Sequence, residues 1–384
     1  MPDKKNIPEI RFKGFADEWE VFKLRDIADI IGGGTPSTSI SDYWEGNIDW
    51  YSPTEIGNEV FANGSVKKIT LLGLEKSSAK ILPANKTILF TSRAGIGDMA
   101  ILKKDGATNQ GFQSLVLKDG FNVYFTYSAG FLIKEYALKY ASGSTFLEIS
   151  GKQLEKMELT IPKSTEQSKI GNYFREVDKL IRLHQRKYDK LVNLKKAMLE
   201  KMFPQKGANV PEIRFKGFTQ SWEEKTLGEI LITYPFKQYI SEPEKGGIFE
   251  IIQQGDNSVL GFGNGKPFKD FQDVVLWGDH TLSLYKPSMP FFIASDGVKI
   301  IGTADDFNGE YLHVLLENYK PASEGYKRHF NILKQVSAFI TKDKKEQQKI
   351  GSYFQNFDKL ISLHQKELEK LKNIKKACLE KMFV

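Results

Sequence analysis

Cysteine is almost absent from this chain of 384 residues, and histidine is scarce: there is one cysteine, Cys378, and there are five histidines. A lone cysteine excludes an internal disulfide and a multi-cysteine zinc site, and the histidines show no paired metal-ligand spacing of the kind a zinc hydrolase uses. Long apolar runs are missing too. No stretch approaches the roughly 18 apolar residues needed to cross a bilayer, and no apolar signal core follows Met1-Pro2-Asp3-Lys4-Lys5. A cytoplasmic protein without membrane contact is therefore expected. Charge of one sign is only slightly in excess, with 55 Lys and Arg against 48 Asp and Glu for a net of +7. Such a balance favours a polyanionic partner modestly and is also compatible with an ordinary solvated surface.

Cofactor signatures are missing as well. Gly261-Phe262-Gly263-Asn264-Gly265-Lys266-Pro267 lacks both the Ser or Thr after Lys and the spacing of a phosphate-binding loop, so it reads as a glycine turn. Gly32-Gly33-Gly34 lacks the later glycine and acidic partner of a dinucleotide fingerprint. No Asn-Pro-Pro-Tyr motif of a methyltransferase occurs, and Glu223-Glu224-Lys225 matches a nuclease fragment only by chance.

What is present is a repeat. The segment Glu166-Gln167-Ser168-Lys169-Ile170-Gly171 through Leu199-Glu200-Lys201-Met202-Phe203 returns as Glu346-Gln347-Gln348-Lys349-Ile350-Gly351 through Leu379-Glu380-Lys381-Met382-Phe383, with about two-thirds of positions identical. A shorter repeat fixes the register: Pro8-Glu9-Ile10-Arg11-Phe12-Lys13-Gly14-Phe15 recurs unchanged from Pro211 to Phe218. The chain thus reads as globular unit, helix, globular unit, helix, with boundaries at 1–163, 164–206, 207–342 and 343–384.

Apolar positions in the repeated helix alternate by three and four: Ile170, Phe174, Val177, Ile181, His184, Tyr188 and Leu191 in the first copy, then Ile350, Phe354, Phe357, Ile361, His364, Leu368 and Leu371 in the second. Sustained over about five heptads, this is the seam of a coiled coil. Ser164 with Gln167, and Asp343 with Glu346, have capping-box spacing. Each helix, at about 1.5 Å per residue, would be roughly 55 to 60 Å long. Two such seams most simply bury each other antiparallel, about a pseudo-two-fold axis that brings His184 and His364 together as polar residues helping to fix register. The alternative is that each helix packs on its own globular unit.

The globular units share a scaffold with different tips. Thr87 to Arg93 leading to Met99-Ala100-Ile101-Leu102 matches Val274 to His280 leading to Thr281 to Tyr285, and both read as strand, polar turn, strand. Thr108 to Leu115 can be set against Ala294 to Ile301, each with a glycine turn, and Gly143-Ser144-Thr145 against Gly325-Tyr326-Lys327-Arg328. At this point the chain resembles the specificity subunits of Type I restriction–modification systems. The matching features are Ile10-Arg11-Phe12, Trp19-Glu20, Gly33-Gly34-Thr35-Pro36-Ser37, Ile48-Asp49-Trp50, Gly143-Ser144-Thr145 and the Glu166-Gln167 helix opening, followed by their counterparts in the second half. The second half departs in having Ile232-Thr233-Tyr234-Pro235-Phe236 in the region of the Gly-Gly-Thr-Pro-Ser stretch, and Thr341 where the first half has Pro162.

The resemblance implies an α+β architecture: two similar target-recognition domains of mixed strands and helices, joined by two long antiparallel coiled-coil helices with pseudo-two-fold symmetry. It also implies a non-catalytic reader of a bipartite site in double-stranded DNA, its helices acting as spacers. Methyltransferase (M) subunits using S-adenosylmethionine and restriction (R) subunits using ATP and Mg would be its partners, and the chain itself would bind no cofactor and no metal. Arg or Lys can bond guanine edges and Asn or Gln adenine edges. Polar loop tips are therefore the candidate DNA contacts: Arg93, Asn109, Gln110, Gln113, Ser144 and Thr145 in the first unit, and His280, Lys299, Tyr326, Lys327 and Arg328 in the second. Competing readings are a coiled-coil scaffold without direct DNA recognition and a self-contained nuclease or methyltransferase.

Overall fold

The computed structural model describes residues 6–93, 95–143, 147–305, 307–325 and 327–384. The chain divides into two compact units, Met1–His184 with Glu367–Val384, and Gln185–Lys366, so that each unit takes a part of both long helices. These helices run from Ser164 to Lys201 and from Lys344 to Met382.

In the first unit a five-stranded sheet has the order Ala28–Gly32, Gln113–Leu117, Thr87–Phe90, Met99–Leu102, Phe61–Ala62. A three-stranded sheet places Trp44–Tyr51 between Lys67–Ile69, antiparallel, and Gly106–Thr108, parallel. Glu20–Lys23 pairs antiparallel with Glu158–Ile161 just ahead of the long helix. The strand Thr87–Phe90 is apolar almost throughout because it is buried on both faces. Ile88 and Phe90 point into the core that holds the helices, while Leu89 points into the core beneath the smaller sheet with Tyr51 and Phe112.

The second unit repeats the plan. Its four-stranded sheet has the order Leu231–Thr233, Val298–Thr303, Val275–Gly278, Leu284–Tyr285, and its three-stranded sheet sets Phe249–Ile252 between Val259–Gly263 and Phe291–Ile293 with the same antiparallel and parallel senses. Glu223–Thr226 pairs with Ser337–Ile340 ahead of the second long helix. Val275 and Trp277 enter the helix-side core and Leu276 the other. The stretch expected to be a glycine turn is different: Gly261 and Gly263 lie within the strand Val259–Gly263, and the bend falls at Gly265, whose φ is +118°.

The seam residues do two jobs. In the first unit Ile170 and Phe174 join the core of the globular part together with Met382 and Phe383 from the end of the other helix. Phe383 sits 5.3 Å from Phe125, 5.9 Å from Phe174 and 6.3 Å from Trp19, ring centre to ring centre. In the second unit Ile350, Phe354 and Phe357 share a core with Met202 and Phe203, against which Leu191 and Ile361 also pack. Phe203 there lies 5.4 Å from Trp222 and 6.5 Å from Tyr311. The start of one helix therefore meets the end of the other within each unit, which is antiparallel packing, but the outer seam positions belong to the domain cores and not to a free-standing coiled coil. Val177 is buried, and Ile181, His184, His364 and Leu371 are half-buried.

The octapeptide repeat is a clamp on both helix ends. Ile10 N–H donates to the Lys381 carbonyl at 2.9 Å, and Ile213 N–H to the Lys201 carbonyl at 2.9 Å, so each strap satisfies an orphan carbonyl of the helix that ends in its unit. Arg11 then forks onto Glu166 through Nε and Nη2, both at 2.7 Å, and Arg214 onto Glu346 at 2.7 and 3.0 Å. Gly14 and Gly217, at φ +98° and +96°, make the turn that follows. This corrects the expected capping boxes. Glu346 serves Arg214 and Thr341 Oγ1, and Gln167 serves Asn122 N–H and the Pro162 carbonyl. Asp343 does cap its helix, accepting from Lys345 and Glu346 N–H. Ser164 is itself the first helical residue.

Candidate functional site

In the first unit the polar tips gather at one end of the five-stranded sheet. Ser92 is fully buried; its N–H donates to the Gly111 carbonyl at 2.8 Å and its own carbonyl accepts from Ile149 N–H at 3.0 Å. That clamp brings half-buried Arg93 beside the turn carrying Asn109 and Gln110, which leads into the strand that begins at Gln113. Asn109 uses its side-chain oxygen on Gly111 N–H at 2.7 Å, and its N–H on the Tyr51 carbonyl at 3.0 Å. Gln110 is exposed, and its oxygen accepts from Thr35 Oγ1. Thr35 belongs to the glycine-rich loop, held there because Gly34 N–H donates to the Thr108 carbonyl at 2.9 Å, and because a Cβ on Gly33 would lie 2.0 Å from the Asn109 carbonyl oxygen. Gln113 is half-buried and lies against Gly151. Ser144 and Thr145 lie outside the described residues.

The same clamp recurs in the second unit with different chemistry. Asp279, 2% exposed, donates its N–H to the Gly297 carbonyl and accepts His329 N–H on its carbonyl, both at 2.8 Å. Its carboxylate further accepts Phe330 N–H at 2.8 Å. His280 donates its N–H to Gln254 Oε1 at 3.1 Å. Lys299 reaches the Asp296 carbonyl at 2.8 Å while its ammonium lies 4.7 Å from the centre of the Phe236 ring. Arg328 pairs with the Asp296 carboxylate at 3.0 Å and Lys327 with Glu324 at 3.0 Å, all four side chains being largely exposed. Tyr326 lies outside the described residues. Each unit thus brings its described candidates together around one buried hub, but not all are the loop tips expected: Gln113 opens the strand Gln113–Leu117 and Lys299 lies in the strand Val298–Thr303. Thr35, Gln254, Asp279, Asp296 and His329 complete the clusters and were not singled out by sequence. The Gly33-Gly34-Thr35-Pro36-Ser37 stretch was a local signal for Thr35, and the Gln253-Gln254-Gly255 turn one for Gln254.

Residue 16 to residue 193 match the family model described as Type I restriction modification DNA specificity domain. That match covers a little under half of the chain. The chain is 34% identical over 227 residues, 56% of its length and 52% of the relative's, to the "Type I restriction enzyme MjaIX specificity subunit" of Methanocaldococcus jannaschii. It is 30% identical over 180 residues, 44% of its length and 43% of the relative's, to the "Type I restriction enzyme EcoR124I/EcoR124II specificity subunit" of Escherichia coli. The matched stretches therefore span about half the length of these relatives or less. The fold is shared with the crystal structure of the S subunit of a Type I restriction–modification system from M. genitalium, at a TM-score of 0.70 and 18% identity, over 98% of this chain and 99% of that one.

Elsewhere the two units carry a repeated ion pair. Lys375 bonds Asp178 at 2.6 Å in the first unit, and Lys195 bonds Asp358 at 2.6 Å in the second. Asp178 also accepts Tyr124 Oη–H at 2.8 Å, and burial together with that carboxylate pushes the Tyr124 phenol far above its usual range. Lys195 has a further partner, Glu317, at 2.7 Å. Burial works against its charge, yet the Glu317 and Asp358 carboxylates outweigh it and raise its pKa. Among the described residues His313, Glu317 and Asp358 could together hold a metal ion, but the Lys195 ammonium already bonds both carboxylates. No helix among the described residues is long and apolar enough to cross a membrane.

Proposed function

We propose that this chain is the non-catalytic DNA-reading subunit of a Type I restriction–modification complex. Residues 1–163 and 207–342 form the two target-recognition domains, each reading one half of a bipartite duplex site. Residues 164–206 and 343–384 form the helical spacers, whose length sets the separation of the half-sites at about one helical turn, ~10 bp. The observation that carries this reading is the repeated clamp at Ser92 and Asp279. One backbone arrangement presents Arg93, Asn109 and Gln110 in the first unit and His280, Lys299, Lys327 and Arg328 in the second. Shared scaffold with unlike tips is what two readers of unlike sequences require.

The partners are methyltransferase and restriction subunits, which bring S-adenosylmethionine, ATP and Mg in the cytoplasm. Exposed leucines support a docking role for the helices. Leu180 and Leu183 are 44% and 45% exposed, and their repeat counterparts Leu360 and Leu363 are 45% and 53% exposed. Apolar side chains at matching positions in both copies suit two equivalent contacts with partner helices.

The test is binding of the purified chain, with its methyltransferase partner, to a duplex carrying the motif methylated in the host genome. Affinity should exceed that for scrambled duplex by about a thousandfold and fall steeply with salt as counterions are released. Cleavage or methylation by the chain alone would overturn the reading, and salt-insensitive absence of DNA binding with the partner present would favour the scaffold.

A further inference from the structure

One histidine holds the inner side of the basic loop of the second unit, whose Arg328 also pairs with Asp296. His329 is fully buried. Its backbone N–H donates to the Asp279 carbonyl at 2.8 Å, its Nδ1 lies 3.2 Å from the same oxygen, and its Nε2 accepts the backbone N–H of Glu324 at 3.0 Å. A ring nitrogen that accepts carries no proton, and a carbonyl oxygen can only accept. The hydrogen-bond pattern therefore assigns the neutral Nδ1–H tautomer. The next amide, Phe330 N–H, is held by the Asp279 carboxylate. Lys327 and Arg328 lie between the two tethered points, Glu324 and His329. In the first unit the equivalent place belongs to Ile149, which makes the backbone bond to Ser92 but has no ring to hold the preceding loop.

We infer that His329 is a positioning residue for half-site recognition by the second unit: its neutral imidazole fixes Glu324 N–H and so sets where Lys327 and Arg328 stand. This rests on the reading that these loops meet DNA. An arginine reads guanine by two parallel hydrogen bonds to one base edge, and a contact of that kind is lost when its support shifts by about 1 Å. Arg328 on a loop without its inner tether would still supply charge for phosphate contact, but not a fixed direction.

The experiment uses the full chain with its methyltransferase partner and a panel of duplexes, each with one base pair changed in one half-site. His329→Leu keeps the volume and removes the acceptor, whereas His329→Gln offers a carboxamide oxygen to Glu324 N–H. The expected result is that His329→Leu lowers discrimination at one half-site about tenfold, leaves the other half-site unchanged, and that His329→Gln recovers part of the loss. Unchanged discrimination in His329→Leu, equal losses at both half-sites, or no recovery in His329→Gln would each overturn the inference. Lys327→Ala and Arg328→Ala separate the two levels. If they too leave both half-sites unaltered, the DNA reading of this loop fails; if they alter one and His329→Leu does not, only the positioning role fails.

Discussion

The two units differ most where they are most alike. Both tie a strand end to the loop ahead of a short helix through one buried residue, yet in the first unit that residue is Ser92 and in the second Asp279, reinforced by His329. The first unit compensates from another direction: its glycine-rich loop comes over the top, with Thr35 bonded to Gln110, and the second unit has no such loop in sequence. The backbone clamp is common to both units, and the side chains that stiffen each loop differ. If the two units read unlike sequences as proposed, each does so with its own internal support as well as its own tips.

The comparison can be broken most severely by cutting the chain. Residues 1–206 alone lack Phe383, but Phe203 of a second copy ends the same Leu-Glu-Lys-Met-Phe sequence and can take the seat beside Trp19 and Phe125. The fragment should therefore dimerise and select a palindromic target, and a strictly monomeric fragment in sedimentation would count against equivalence of the two helix ends.

The next largest difference concerns the strap arginines. Glu166 is 2% exposed and faces Arg11, whereas Glu346 also receives Thr341 Oγ1–H. Arg11→Ala should cost about 3 kcal/mol because it strands a buried carboxylate, and Arg214→Ala should cost less, as denaturant unfolding would show. A smaller contrast separates the repeated lysines. Lys195→Met leaves Glu317 and Asp358 facing each other and should cost about 2 kcal/mol. Lys375→Met leaves Asp178 its Tyr124 bond and should cost about 1 kcal/mol; equal losses in thermal unfolding would refute the contrast.

The smallest effect is a pH dependence confined to the second unit. Burial holds the His313 imidazole below its ordinary 6.5, against the opposing pull of Glu317 and Asp358. The unfolded chain then binds more protons than the folded one below about pH 6.5, so stability is full above that value and declines as pH falls towards the lowered folded-state value. His313→Gln should flatten the decline in a series of melts between pH 7 and 5.

The long helices were legible because the chain states them twice, and the hairpins at Thr87–Leu102 and Val275–Tyr285 because polar turns interrupt apolar runs there. The strap's role was not legible. The Arg11–Glu166 fork closes over 155 residues and the Arg214–Glu346 fork over 132, and no local pattern records a contact of that span. The loop tips were half legible. Residue type and turn placement pointed to Asn109 and Gln110, but sequence could not reveal that their carboxamide oxygens are spent inside the protein on Gly111 and Thr35. Asp279 and His329 looked like ordinary neighbours of exposed candidates because burial, which gives them their role, is decided by tertiary packing.

Phe383 has one more implication, which concerns the order of events during synthesis. Trp19, Phe125 and Phe174 leave the ribosome early, and their aromatic nest stays open until Phe383 arrives, while everything belonging to the other unit, Gln185 to Lys366, has by then already emerged. The domain begun first is finished last. A chain released between Lys366 and Phe383 would have one finished half and one gaping half.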